Sequence, residues 1–434
     1  MKRGFLNSDK AKKALSSTSP KVYDASADKP PLVMKLPYGK VANAGRPEGY
    51  NSLQVPIMEM AAECLDHPEG AVLYTSIPIR RSRSSYDDEP TGWSECFITS
   101  SVKRQIYETV GFCRAPPQPE RVNFRVSLTS DMGLGMFATC SLKMGDLILS
   151  ERPLIVSPAA TRVTFQKPSG FTDEQYTQAI LFEREKALEE CLKRMFPESR
   201  KAFYALANSH TEDGSGPIVG RIRTNGFTVG KGFYDKQYGE TSGAYSATCD
   251  KLSRINHSCR PNTTYTFDVA SFSFQLRAMR DIKSGEQLFC SYSTVTLPAA
   301  DRKRQLAPYG FQCTCASCSG DTANSDRVRT NHIDLISVNR AEYDIWAGIP
   351  RYLRNNSILQ SSLDLLSDVE NEGLRATAFY PLLLCTISEI YAQLGDTANA
   401  NLYLGRQEAW KIARNQEPFK WDEIIAKAKR NFKF

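Results

Sequence analysis

From residue 122 to 156 the apolar positions come in short runs broken by Gly and polar turns: "VNFRVSLTSDMGLGMFATCSLKMGDLILSERPLIV". Runs of this length and composition predict strands. The texture changes over residues 171–210, "FTDEQYTQAILFEREKALEECLKRMFPESRKAFYALANSH", which predicts helices with Thr172 as N-cap and a break at Pro197. Strands return in "ASFSFQLRAMRDI". There Phe272, Phe274, Leu276 and Ala278 follow the two-residue period of a strand with one buried face. "SGEQLFCSYS" starts at a Gly turn and predicts another strand. After Cys318, "SGDTANSDRVRTN" reads as a polar linker and the remainder as helical. "YPLLLCTISEIYAQLGDTANANLYLGRQEAWKIARNQ" predicts a helical hairpin turning at Gly395-Asp396, with the texture of one tetratricopeptide-like unit. Stacks need several units, so the expectation is a helical cap or partner surface rather than a solenoid.

The first 120 residues carry little periodicity. "ADKPPLVMKLPYGKVANAGRPEGY" is rich in Pro and Gly and reads as extended. "RRSRSSYDDEP" reads as an exposed charged loop, with a localisation signal at Arg80, Arg81 and Arg83 as the lesser alternative. The length of 434 residues suits about two or three domains. A net charge of +7 is too diffuse to specify an acidic or nucleic-acid partner. No run approaches the roughly 18 apolar residues of a membrane span. The N-terminus lacks a secretory apolar core, so the expectation is an intracellular protein, nuclear, cytoplasmic or both. Twelve Cys in such a chain predict thiols rather than a disulfide framework, and a tight group of them predicts a metal site.

That group is "GFQCTCASCSG", with Cys313, Cys315 and Cys318 within six residues. A structural Zn²⁺ takes four ligands, and thiolates are favoured. Three candidates for the fourth lie upstream. Cys259 and His257 stand together in "SRINHSCRPNTTYTF", where they would share one face of an extended strand. Cys290 is the third. Spacing does not choose among them.

Three blocks in one order, "MGLGMFA" (132–138), "SRINHSCRPN" (253–262) and "GEQLFCSY" (285–292), precede the Cys-x-Cys-x-x-Cys run. Together they resemble a SET domain, the fold of protein-lysine methyltransferases. The resemblance covers about residues 121–320 and is nearest to the SET–MYND branch and its fungal-type relatives. It implies an α+β fold: a SET β-clip of short sheets over 121–307, with a helical insert at about 160–210. A Cys-rich post-SET zinc segment over 308–320 and an all-α, tetratricopeptide-like region over 330–434 would follow, and residues 1–120 would be a partly irregular extension. Two departures stand out. Between Cys140 and Cys249 only Cys191 and His210 occur, too few ligands for a MYND zinc module. Met132 stands where relatives carry Lys or Arg to hold the carboxylate of the cofactor.

The resemblance implies S-adenosylmethionine as cofactor and structural Zn²⁺ on Cys259, Cys313, Cys315 and Cys318. The cofactor would be held by Gly133, Leu134, Gly135, Met136, Asn225, Ser253, Asn256, His257, Tyr292 and Phe311. His257 thus belongs to the cofactor and Cys259 to the metal. Tyr292 and Tyr309 would act at the transfer step. Tyr292 orients the amine, and Tyr309 with Phe311 lines an apolar tube that tolerates a cation at its mouth. The implied partner is a protein presenting a lysine, on a histone tail or a non-histone protein, with no membrane and no direct nucleic-acid contact. The competing reading is a SET-like scaffold that has lost activity and binds partners through its helices, toward which Met132 leans. A zinc-stabilised nucleic-acid binder lacks a basic helix or stacking platform.

Overall fold

The computed structural model describes residues 33–34, 41–53, 64–79, 92–163, 165–230 and 233–415. "RRSRSSYDDEP" and the first residues of the chain lie outside them. The strands are β1 (Val33–Met34), β2 (Val72–Ile77), β3 (Ser94–Thr99), β4 (Phe124–Leu128), β5 (Leu134–Ala138), β6 (Leu147–Glu151) and β7 (Ile155–Pro158). They continue as β8 (Thr161–Arg162), β9 (Gly226–Thr228), β10 (Tyr245–Thr248), β11 (Asn256–His257), β12 (Thr263–Asp268), β13 (Ser273–Ala278) and β14 (Gln287–Cys290). Helices of eight residues or more are α1 (Ser100–Tyr107), α2 (Asp173–Arg194), α3 (Pro197–Tyr204), α4 (Pro217–Asn225) and α5 (Ala299–Leu306). The last four are α6 (Ala323–Gly348), α7 (Ser357–Asn371), α8 (Tyr380–Leu394) and α9 (Thr397–Arg414).

The strands form small sheets of order β1-β8, β2-β3-β7-β10-β9, β11-β14-β5-β4 and β12-β13-β6. Side chains from the three larger sheets interdigitate in one core, among them Ile98, Met136, Ile148, Tyr245, Phe274 and Leu288. Within the first 120 residues, where the sequence shows little periodicity, residues 72–77 supply β2 and residues 94–107 supply β3 and α1, and β3 pairs in parallel with β7. The larger sheet therefore runs across residue 121. β13 is the middle strand of its sheet and differs from the expected one-sided strand: Ser273 and Gln275 are buried as well as Phe274 and Leu276. Hydrogen bonding makes the polar face tolerable, since Ser273 shares hydroxyl contacts with Ser150 and Ser271. Phe272 lies just before the strand, at a positive φ of 49°.

In the insert, Thr172 caps α2 in a reciprocal capping box with Gln175. Pro197 and Pro217 open α3 and α4 at first-turn positions, where a missing N–H costs nothing. α4 passes directly into β9 at Gly226, where a Cβ would lie 2.3 Å from Ser246 Oγ and 2.6 Å from the Ile222 carbonyl. Only Gly permits that junction, and the junction places Asn225 at the edge of the site.

The stretch read as a linker is instead largely helical, because α6 begins at Ala323. Asp321 accepts from the Ala323 N–H at its start, and Ser325, Val328 and Arg329 are buried. The polar composition belongs to a buried network rather than to solvent. α8 and α9 form a hairpin closed by Gly395 in the left-handed region, with Asp396 capping α9 through the Asn399 N–H. The core of these helices, built on Leu383, Ile387 and Trp410, also takes in Met279 and packs Met144 and Val295 from the strand region.

Candidate active site and thiolate cluster

A cavity of about 180 Å³ opens where β9, β12 and the segment after β14 meet. Asn225, Ser253, Tyr292 and Tyr309 all line it, joined by Phe227 and Tyr265. The Asn225 amide nitrogen donates to the carbonyls of Ala207 (2.7 Å) and Arg221 (2.8 Å), so its Oδ1 is the end available as an acceptor. The Ser253 hydroxyl donates to the Asn225 carbonyl at 3.0 Å and accepts from the Cys249 N–H, so it braces Asn225. The Tyr292 hydroxyl donates to the Ile255 carbonyl. Tyr292 and Tyr309 rings lie 4.9 Å apart. Phe311, 39% exposed, sits 5.9 Å from the His257 ring and 6.3 Å from Tyr292. Burial raises the pKa of both Tyr292 and Tyr309, so their phenols stay protonated.

Leu134, Gly135 and Met136 lie on β5, which pairs with β14, and Gly133 directly precedes it. Gly133 turns the β4–β5 hairpin at φ 69°, with open space where a Cβ would point. Gly135 is crowded: a Cβ would meet Gln287 Nε2 at 2.6 Å and Asn256 Nδ2 at 2.9 Å. Asn256 donates to the Leu134 carbonyl at 3.1 Å, tying β11 to β5. The Met136 side chain is buried in the core, whereas Leu134 is 41% exposed and Met132 43%.

Four thiols converge next door. The Sγ atoms of Cys259, Cys313, Cys315 and Cys318 all lie within 4.8 Å of one another, with Cys259 3.9 Å from Cys313 and 3.5 Å from Cys318. Tetrahedral Zn–S bonds of about 2.3 Å set sulfurs roughly 3.8 Å apart, so the spacing suits such an ion. Hydrogen bonds within the group push the Cys259 thiol up and pull Cys313 down. Cys290 is buried and outside the cluster, its thiol raised to about 12 by burial. His257 is spoken for differently. Its Nδ1 accepts the Tyr292 N–H at 2.9 Å, so a neutral ring carries its proton on Nε2, which faces Cys259 Sγ at 3.3 Å. Burial lowers the His257 pKa to about 4, which keeps the ring neutral. One imidazole therefore bridges the backbone of Tyr292 and a sulfur of the cluster.

Sequence reasoning missed the cations around the thiols. Arg302 is fully buried, with Nε 3.3 Å from Cys259 Sγ and Nη2 3.5 Å from Cys318 Sγ. Arg329, also fully buried, donates to the Cys259 carbonyl and pairs with Glu372 at 2.9 Å. Charged residues read as solvated by default, and nothing in "DRKRQ" or "DRVRT" distinguishes the buried ones.

Residues 133–293 match the SET domain family. The chain carries a SET domain. This SET domain is similar to those of SET–MYND proteins. The histone-lysine N-methyltransferase set5 of Schizosaccharomyces pombe is 27% identical over 197 residues, 45% of this chain and 50% of that protein. The SET domain and MYND-type zinc finger protein 6 of the same yeast is 36% identical over 129 residues, 30% of this chain and 23% of that protein. Human N-lysine methyltransferase SMYD2 is 30% identical over 139 residues, 32% of this chain and 29% of that protein. The chain thus spans half or less of the length of these curated relatives. Among solved structures, the SET domain of LSMT bound to lysine and AdoHcy is 12% identical with a TM-score of 0.26, covering 76% of this chain and 92% of that one. The motifs, the short sheets and the helical region after the SET domain define its α+β class. No described helix is long and apolar enough to cross a membrane.

Proposed function

We propose that this chain is an S-adenosylmethionine-dependent protein-lysine N-methyltransferase. The observation that carries the reading is the aromatic cavity: Tyr292, Tyr309, Phe227 and Tyr265 enclose it, with Asn225 and Ser253 at one side. The donor's site fits on a second observation. Gln287 Nε2 is buried and unpartnered against Gly135, and the apolar side chains of Leu134 and Met132 are exposed beside it. Gly133, Leu134, Gly135, Asn256 and His257 would hold the methionine and adenosine parts, with Asn225 Oδ1 as an acceptor and Phe311 as a covering ring. Met136 supports β5 from the core. When bound, S-adenosylmethionine supplies a methyl group activated by its sulfonium.

The chain's own contribution is alignment. The lysine stem lies between the aromatic faces. Tyr292, with its proton committed to Ile255, offers lone pairs to an amine N–H and so fixes the direction of the amine lone pair. Free lysine titrates near ~10.4, and a desolvating aromatic tube lowers that value. Among the described residues that line the cavity there is no carboxylate or imidazole, and the amine proton would leave to water before transfer. Cys259, Cys313, Cys315 and Cys318 would hold a structural Zn²⁺, pinning the segment that carries Tyr309 and Phe311 beside Tyr292. Thiols in this state suit a reducing compartment, nuclear or cytoplasmic. The substrate class is a lysine of a histone tail or a non-histone protein.

The test uses the whole 434-residue chain. S-adenosylmethionine and its demethylated product should each raise Tm, and labelled methyl groups should pass to lysine in a proteome extract. Binding without transfer would favour the inactive scaffold, and no shift with either ligand would reject the donor site.

A further inference from the structure

Cys259 Sγ receives N–H groups from two directions: His257 Nε2 on the side of Tyr292 and Arg302 Nε on the side of the C-terminal helices, each at 3.3 Å. The second contact belongs to a built arrangement. Arg302 is fully buried, its Nη2 also reaches Cys318 Sγ at 3.5 Å and the Ser317 carbonyl at 2.6 Å, and its Nη1 donates to the Leu297 carbonyl at 2.5 Å. Its nearest carboxylate, Asp326, is 3.7 Å away and belongs to the first turn of α6. A buried guanidinium needs a strong counter-charge, and one carboxylate at that range is a weak one. Four thiolates around a divalent ion carry two net negative charges, and the guanidinium lies against two of those sulfurs.

We propose that Arg302 is a positioning residue for the metal centre, the buried counter-charge that stabilises the tetrathiolate and locks it to the C-terminal helices. The proposal rests on the reading of the cysteines as a zinc site. The lock continues through Ser317, between two cluster cysteines. Its hydroxyl accepts from Arg260 and Arg329 and donates to Glu372 at 2.7 Å, and Glu372 also accepts from Ser325 on α6. Arg302 thus sets how tightly the ion is held. Through it, the wall that carries Tyr309 is coupled to the packing of residues 323–372.

The experiment measures zinc release from the full chain into a chromogenic chelator for the wild type, Arg302→Met and Arg302→Lys. Met removes charge and both N–H···S contacts, and release should quicken at least about tenfold. Lys keeps the charge but lacks the planar fork, so it should fall between the two. Should Arg302→Met fail to fold, Co²⁺-loaded wild type and Arg302→Lys are compared by absorption. Losing N–H donors raises the sulfur donor orbitals, so the thiolate-to-metal charge-transfer bands should move to longer wavelength in the variant. Unchanged release in folded Arg302→Met, or unchanged bands in Arg302→Lys, overturns the role given to Arg302 while leaving the zinc site standing. A wild type that binds no stoichiometric zinc overturns both.

Discussion

Tyr292 shows what one side chain does here and what its loss should reveal. Its hydroxyl bonds the Ile255 carbonyl, and its N–H bonds His257. Tyr292→Phe keeps the ring and the backbone contact and removes only the oxygen. Methyl transfer should fall about a hundredfold through lost alignment. Stability should drop only about 1 kcal/mol from the unpaired carbonyl. A transfer assay beside a melt with the demethylated cofactor reads both, and equal transfer by wild type and variant would remove Tyr292 from the mechanism. Gly135→Ala acts at the other end of the site. Its Cβ would displace the amides of Gln287 and Asn256. Cofactor affinity should fall at least about tenfold, a loss of roughly 1.4 kcal/mol measurable by calorimetry. Residues of this kind could be nominated from sequence because their neighbours form recognisable blocks. Arg302 and Arg329 could not, since a buried guanidinium looks like a solvated one until its partners, distant in sequence, surround it.

At the scale of elements, the β-runs and the α8–α9 hairpin follow from local pattern: Gly395 and Asp396 sit at the turn where helix stop and start signals coincide. The start of α6 did not follow. Its first turns are polar because they face Glu372 and the cysteine segment, and polarity without contacts reads as linker. Gly373 is a joint in this arrangement, with φ +69° and the Arg260 Cα only 2.5 Å from where a Cβ would stand. Gly373→Ala meets backbone that cannot yield and should cost about 2–4 kcal/mol, read by denaturant unfolding. His332 on α6 is buried, and burial lowers its pKa below the usual 6.5. The unfolded chain therefore binds the proton more readily. The stability His332 contributes is complete above about pH 6.5 and declines as pH falls through the lowered folded-state value. His210 acts with the same sign in the insert. Unfolding free energy measured from pH 7 to 5 should fall, and the slope should be shallower in His332→Gln.

Over the whole molecule, the thiolate cluster stands where the SET domain meets the C-terminal helices, and the aromatic cavity lies across His257 from it. If the four thiols hold Zn²⁺ as proposed, chelating it should do more than unfold a loop. Hydrogen exchange should rise in 308–320 and in the first turns of α6, and the Tm shift with demethylated cofactor should shrink or vanish. An intact shift after complete metal removal would separate the two sites. The sequence by itself determined the strand and helix periods, the order of the SET motifs and the Cys-x-Cys-x-x-Cys run, because each is carried by residues close together in the chain. The family resemblance already favoured Cys259 over Cys290 and the His257 ring, and the structure brings Cys259 to the three thiols. Only the tertiary structure decided two further points: Ser253 braces Asn225, and two arginines lie buried behind the cluster. These depend on contacts between segments tens of residues apart, where burial and partner charge arise only once the chain has closed on itself.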